Sequence, residues 1–266
     1  MTIQSDFGRI GTFEDFGGYE ATQSISDATV VRVKDLALVA VSGNTTYINT
    51  VDESGGVASF VPGTGDASDG IAIYGAPSIP SSNGTLQMEA RFKGSSATDL
   101  RVFCGWQETV AAAEPINPFT LNGTTLVSND GGNVVGFYTD TSANVDDYRF
   151  HASLDGTELT TAALGASIDG STTLGALGIR AVATITADSW VVCRVEIDVA
   201  GGAEGWCGAI GMADQNGLSP IARMNSGSLD KDALYFPILQ LLAASTGTPT
   251  FKVDYFQWKG SRDWNF

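Results

Sequence analysis

In "LQMEARFK" (residues 86–93), Leu86, Met88, Ala90 and Phe92 alternate with Gln87, Glu89, Arg91 and Lys93. A period of two puts the apolar set on one face of a β-strand and the polar set on the other. The turn-forming stretches "SSNG" and "GSSATD" bound it on either side. Comparable units are "VVRVKDLALVAV" (30–41), "GIAIYGA" (70–76), "LRVFCGWQ" (100–107), "NVVGFYTD" (133–140), "DYRFHASL" (147–154) and "LGIRAVATIT" (177–186). They are followed by "SWVVCRVEIDV" (189–199), "WCGAIGMA" (206–213), "LYFPILQLLAA" (234–244) and "TFKVDYFQWKG" (250–260). About a dozen short strands separated by turn residues are the pattern of an antiparallel sandwich or barrel. Helical periodicity is nearly absent. Only "SLDKDALY" (228–235) suggests a short helical turn, with Ser228 as its cap.

The expected fold is therefore all-β, one antiparallel β-sandwich over residues 26–266 with little helix. Residues 1–25 are the least patterned part of the chain and are expected to form an arm or an edge strand. With 266 residues, 32 glycines and only 8 prolines, the chain can bury a sizeable core and supply many tight turns. No linker, charge block or internal repeat divides it.

Thirty acidic residues against 14 basic ones give a formal net charge of −16, and the Lys and Arg residues form no run. Binding to phosphate backbones relies on clustered Lys and Arg, so nucleic acid and anionic membrane are not expected partners. Cys104, Cys193 and Cys207 are odd in number and lack metal-site spacing. Cys193 lies among valines, so the thiols are expected to be reduced and structural. The stretch "MTIQSDFGRIGTFEDF" lacks the basic and apolar regions of a secretory signal, and no apolar run is long enough to span a membrane. Assembly in a cytoplasm is expected, and the triplets beginning at Asn44, Asn83 and Asn122 then read as chance matches to the glycosylation pattern.

Candidate chemistry concentrates in "RVEIDVAGGAE" (194–204). Val191, Cys193, Val195, Ile197 and Val199 share one face of the expected strand, with Val192, Arg194, Glu196 and Asp198 on the other. "EID" resembles the start of the catalytic strand in laminarinase and lichenase glycosidases, where Glu, Asp and Glu alternate. Here Glu196 and Asp198 match the first two members, but Ala200 and Gly201 stand where the third belongs, and Glu204 follows a Gly201–Gly202 turn. Retaining hydrolysis needs one carboxyl to attack and a second to protonate the leaving oxygen, so the pair reads as a remnant and no catalytic residue is expected. The only histidine, His151, has no second histidine with which to build a metal site or triad. The turns "GTGDASDG" and "SNDGGN" make Asp66, Asp69 and Asp130 weak calcium candidates. Trp106, Trp190, Trp206, Trp258 and Trp264 can stack on sugars, although the strand positions of Trp190, Trp206 and Trp258 favour core packing.

At "SWVVCRVEIDVAGGAEGWCG" the chain resembles the laminin G-like and concanavalin A-like jelly-roll group. With "LQMEARFKG", "LRVFCGWQET", "NVVGFYTDT" and "FKVDYFQWKGSRDW", the resemblance extends over roughly residues 60–262 to the jelly-roll proteins of tailed-phage virions. It implies a non-enzymatic virion protein without cofactors on the capsid exterior, a decoration or cement protein that binds the major capsid protein and self-associates, as a trimer. An acidic exterior fits, because it does not trap DNA. The aromatic residues near the chain ends, Phe13, Phe16, Tyr19, Trp264 and Phe266, are the expected interface residues. A carbohydrate-binding module of a fibre or tail is the alternative, and a glycosidase using Glu196 and Asp198 the remote one.

Overall fold

The computed structural model describes residues 9–14, 16, 23–27, 29–33, 35–43, 45–50, 56–63, 66–108, 118–122, 125–128, 132–143, 145–158, 185–209 and 222–261. The first half of the chain supplies β1 (Arg9–Glu14), β2 (Gln23–Ile25), β3 (Val30–Val33), β4 (Leu36–Val41), β5 (Thr45–Thr50), β6 (Val57–Pro62), β7 (Gly70–Tyr74), β8 (Leu86–Gly94) and β9 (Arg101–Gln107). Then follow β10 (Phe119–Asn122), β11 (Thr125–Ser128), β12 (Val134–Asp140), β13 (Val145–Leu154), β14 (Thr157–Glu158), β15 (Val191–Ile197), β16 (Ala203–Ala209), β17 (Ala222–Met224), β18 (Phe236–Leu242) and β19 (Phe251–Ser261).

Two antiparallel sheets form a sandwich. The first runs β17-β16-β15-β8-β19-β6-β5-β2, with β1 also paired to β19; the second runs β14-β13-β12-β9-β18-β7-β4-β3. Between them lies one large core that includes Met88, Phe92, Trp106, Phe137, Val195, Leu239 and Trp258. Strand alternation generates this packing directly. In β15, Val191, Cys193, Val195 and Ile197 are buried while Val192, Arg194 and Glu196 are half-exposed, and the later residues of β8 alternate in the same way.

The central strands of the second sheet are buried on both faces. Strands such as "LALVAV" and "FPILQLL" are apolar at consecutive positions, as strands covered on both sides must be. Phe119 of β10 packs edge-on against Phe103 and Tyr138 over the outer face, with ring centroids 6.0 and 5.8 Å apart. A partly buried ion pair, Arg101 Nε to Asp140 Oδ2 at 2.8 Å, lies at one end of that sheet.

Several expected elements differ. "VVRVKDLALVAV" is a hairpin of β3 and β4, because the polar turn at Asp35 folds the run back on itself. No helix forms at 228–235; Tyr235 Oη instead donates to the Asp230 carbonyl (2.9 Å) and ties the segment into turns. The helical turn α1 lies at Pro80–Asn83, started by Pro80 and followed by Gly84 at φ 69°. Val199 is not on the core face: β15 ends at Ile197, and Val199 is 53% exposed in the following turn. Phe16 is not at the surface but fully buried in the main core. The strand expected over 177–186 lies largely outside the described residues; Ile185, which is described, is buried.

The three cysteines converge in the core. Cys193 and Cys207 face each other across β15 and β16 with Sγ atoms 2.9 Å apart, and Cys104 Sγ donates weakly to the Cys193 carbonyl at 3.9 Å. Burial pushes the Cys193 thiol well above its ordinary value, and contacts with Cys104 and Cys207 add to the effect.

Gly105 and Gly136 are directly opposed in β9 and β12, and the Phe103 ring lies close to both. A Cβ on Gly105 would meet the Val135 carbonyl oxygen at 2.1 Å and the Phe103 ring at 3.0 Å. Gly105→Ala is therefore expected to lower stability by about 1–3 kcal/mol, in the range of overpacked cores. A lower urea midpoint at unchanged slope checks this.

Candidate recognition face on the first sheet

Because the core takes one set of alternating residues from β8, β15, β16 and β19, the other set forms a continuous outer face. Gln87, Glu89, Arg91 and Lys93 come from β8, and Arg194 and Glu196 from β15. Glu204 and Trp206 come from β16, and Lys252, Tyr255, Gln257 and Lys259 from β19. Trp190, immediately before β15, joins them.

Two aromatic and cationic clusters stand on this face. In one, the Arg91 guanidinium and the Lys93 ammonium lie 4.7 and 4.5 Å from the Trp190 ring centroid, and Arg91 also pairs with Asp254. In the other, Arg194 lies 4.9 Å from the Trp206 ring and its Nε donates to Glu196 Oε1 at 2.9 Å. Four residues along β15 separate the two levels, about 14 Å at strand rise. At the Arg194 level, Glu89 Oε1 accepts from Tyr255 Oη (2.6 Å) and Gln257 Nε2 (3.1 Å). Burial, then the bond to Glu89, pushes the Tyr255 hydroxyl well above its ordinary value, so it remains a donor.

The structure separates Glu196 from Asp198. Glu196 is on the outer face of β15, whereas Asp198 lies beyond the strand end and caps the turn. Its Oδ1 accepts from the Ala200 and Gly202 backbone N–H groups at 2.7 and 2.9 Å, and Gly201 takes φ +77°. The hairpin instead places Glu204 directly opposite Glu196. Glu196 engages Arg194, and Glu204 Oε1 lies 2.6 Å from an Arg223 nitrogen. Each of these two carboxylates is thus held by a guanidinium.

The other candidates are scattered. His151 is on the second sheet, opposite Gly136, and packs edge-on against Phe119 with ring centroids 5.1 Å apart. Asp69 is buried, and its Oδ2 accepts from the Asp66 N–H at 3.1 Å, a turn-capping bond; Asp66 itself is exposed. Among the described residues, no group of three or more His, Cys, Asp or Glu side chains could hold a metal ion. No helix of the described residues is long and apolar enough to cross a membrane. Trp106 and Trp258 are core residues, whereas Trp190 and Trp206 are half-exposed and not in the core as expected. The signal for Trp206 was present in the sequence: Ala203, Gly205 and Cys207 take the core parity in "AEGWCG", leaving Glu204 and Trp206 outward. Phe13 belongs to β1, but its side chain lies outside the description, and Tyr19, Asp130, Trp264 and Phe266 lie outside the described residues.

Comparison with known proteins gives a fold. A scan of protein-family models finds no match, and no curated protein matches the sequence. Among solved structures, a protein of unknown function from Shewanella oneidensis MR-1 superposes with a TM-score of 0.54 at 12% identity, covering 99% of this chain and 91% of that one. A glycosyl hydrolase family 16 protein from Mycobacterium smegmatis has a TM-score of 0.48 at 11% identity, covering 93% and 98%. The CBM2 module of the evolved Dit of Lactobacillus casei BL23 phage J-1 has 0.47 at 12% identity, covering 97% of each chain. The chain is an all-β sandwich of two antiparallel sheets, and its likeness to the Shewanella protein is one of fold.

Asp198→Ala removes both capping bonds of the β15–β16 turn. The expected cost is about 1–2 kcal/mol, the range for loss of a side-chain cap, measured by chemical denaturation.

Proposed function

We propose that the protein is a non-enzymatic binding module that takes carbohydrate on the outer face of its first sheet. The observation that carries this reading is the placement of Trp190 and Trp206, half-exposed on one face and surrounded by hydrogen-bonding groups. A pyranose ring has apolar C–H faces and a rim of hydroxyls. Indole supplies a flat apolar partner, and Glu89, Gln257 and Tyr255 supply a few fixed polar groups, the usual composition of a small-molecule site. The turn-capping role of Asp198 and the pairing of Glu196 with Arg194 support a binding rather than a hydrolytic role.

On a glycan array the protein is expected to bind, with Trp190→Ala and Trp206→Ala each weakening binding at least tenfold, about 1.4 kcal/mol. An array silent for the wild type overturns the reading. Neither wild type nor Glu196→Gln is expected to release reducing sugar from β-glucans. Release by the wild type that Glu196→Gln abolishes would make the protein a glycosidase.

A second reading, a capsid decoration protein on the virion exterior that binds the major capsid protein and self-associates as a trimer, rests on different observations. The net charge of −16 suits a surface that must not trap DNA. Val199 and Leu234, 53% and 42% exposed, are large apolar side chains available for such contacts. They lie in the segments 198–202 and 225–235, which are joined by bonds from the Gly227 and Leu229 N–H groups to the Ala200 and Gly201 carbonyls at 2.7 and 2.9 Å. Co-sedimentation with emptied phage capsids at a fixed ratio to the shell subunit, and a trimer mass in solution, are the expected results of this reading. Failure to sediment with the shells removes it.

A further inference from the structure

We propose that Cys193 and Cys207 form a redox modification site: a small-molecule disulfide of the glutathione class converts the two thiols into a cross-strand disulfide that ties β15 to β16. This site stands apart from the carbohydrate reading.

The register brings the two thiols together. Cys193 and Cys207 are direct partners in the antiparallel pair of β15 and β16, and directly opposed residues of such a pair have Cα atoms about 4.5–5.5 Å apart. A disulfide spans Cα separations of about 4.4–6.8 Å, so the backbone already has the spacing that the bond requires. Both side chains belong to the core set of their strands and point to the same side of the sheet. Their Sγ atoms lie 2.9 Å apart as free thiols.

The third thiol belongs to the facing sheet. Cys104 is on β9, and its Sγ approaches the Cys193 carbonyl at 3.9 Å. Packed sheets stand about 10 Å apart, beyond the roughly 7 Å of Cα separation that a disulfide can bridge without backbone movement. Strand order therefore selects Cys207 and not Cys104 as the partner of Cys193.

Access to the pair comes from the Cys207 side. Cys193 is 0% exposed and Cys207 7%. The far side of β16 is bonded to β17 only at Ala203, Glu204 and Gly205, so among the described residues no strand covers that side at Cys207. Cys207 is thus the thiol that meets the reagent. Its thiolate attacks one sulfur of R–S–S–R, forming a mixed disulfide and expelling one R–S⁻. The Cys193 thiolate then attacks the Cys207 sulfur, forming the protein disulfide and expelling the second R–S⁻. The two protein protons end on the two expelled thiolates: the cysteine pair is oxidised by two electrons and R–S–S–R is reduced to two R–SH. Burial holds the Cys193 thiol protonated, which keeps the pair reduced until the adduct at Cys207 places an electrophilic sulfur beside it.

The bond would join residues 14 apart in the chain and so restrict the unfolded state. The strands it ties carry Arg194, Glu196, Glu204 and Trp206 on their outer side.

The test incubates the full chain with excess glutathione disulfide, alkylates it in denaturant, and follows intact mass, peptide maps and urea unfolding before and after dithiothreitol. The expected product is lighter than the starting protein by two hydrogens, keeps one alkylatable thiol of the three, and yields a peptide linking Cys193 to Cys207. Its urea midpoint should exceed that of the reduced form and return on reduction. Cys104→Ala should give the same link, and Cys207→Ala no product lighter by two hydrogens. The wild-type peptide map decides the matter even where a variant does not fold. Three thiols still free, a glutathione adduct that persists on Cys207, or a link through Cys104 overturns the proposal. So does an oxidised form whose midpoint is no higher than that of the reduced one.

Discussion

The recognition face depends on the parity with which the first-sheet strands meet the core. A slip of one residue in any of them exchanges its inner and outer sets. In β19 this parity changes within the strand: Phe251 and Val253 face inward at odd positions, Phe256 and Trp258 at even ones. A bulge between Val253 and Tyr255 absorbs the change. It sends Asp254 to Arg91 and Tyr255 to Glu89 and lets all four apolar residues stay in the core. One extra residue thus fills the core and brings two polar partners to the face.

The two sheets play different roles for the same reason. The second carries apolar residues on both sides, so its outer surface is packed beneath Phe119 and around the Gly105–Gly136 pair. Polar groups on that outer face, such as Gln107, Gln240 and Asp140, are buried too, sharing the strand parity of Phe103, Ile238 and Tyr138. The first sheet is apolar on one side only, and its other side carries polar and charged residues. Beneath that side, Cys193 and Cys207 fill the space between β15 and β16 as small apolar side chains.

The "EID" run shows how a sequence pattern and a site can part. In a strand, residues two apart share a face, and a carboxylate pair follows if the strand continues. Here β15 stops at Ile197, and the Asp198 carboxylate is drawn to the N–H groups of Ala200 and Gly202. An Asp at the first position of a glycine-containing turn satisfies backbone donors that would otherwise lack partners. What the hairpin gathers instead is Glu196, Glu204, Arg194, Arg223 and Trp206.

Local pattern alone determined the all-β class, the inward sets of β8 and β15 and the burial of Cys193, because side-chain alternation depends only on neighbours in the chain. The outward position of Trp206 was also written there, in the parity it shares with Glu204. Other features were decided by contacts distant in sequence. The folding back of 30–41 into a hairpin, the burial of Phe16, and the two-sided covering of the second sheet all depend on what packs opposite. So does the meeting of Lys93 with Lys252, 159 residues apart in the chain and directly opposed in the sheet. Alternation tells which way a side chain points; only strand order and register tell which side chain it meets.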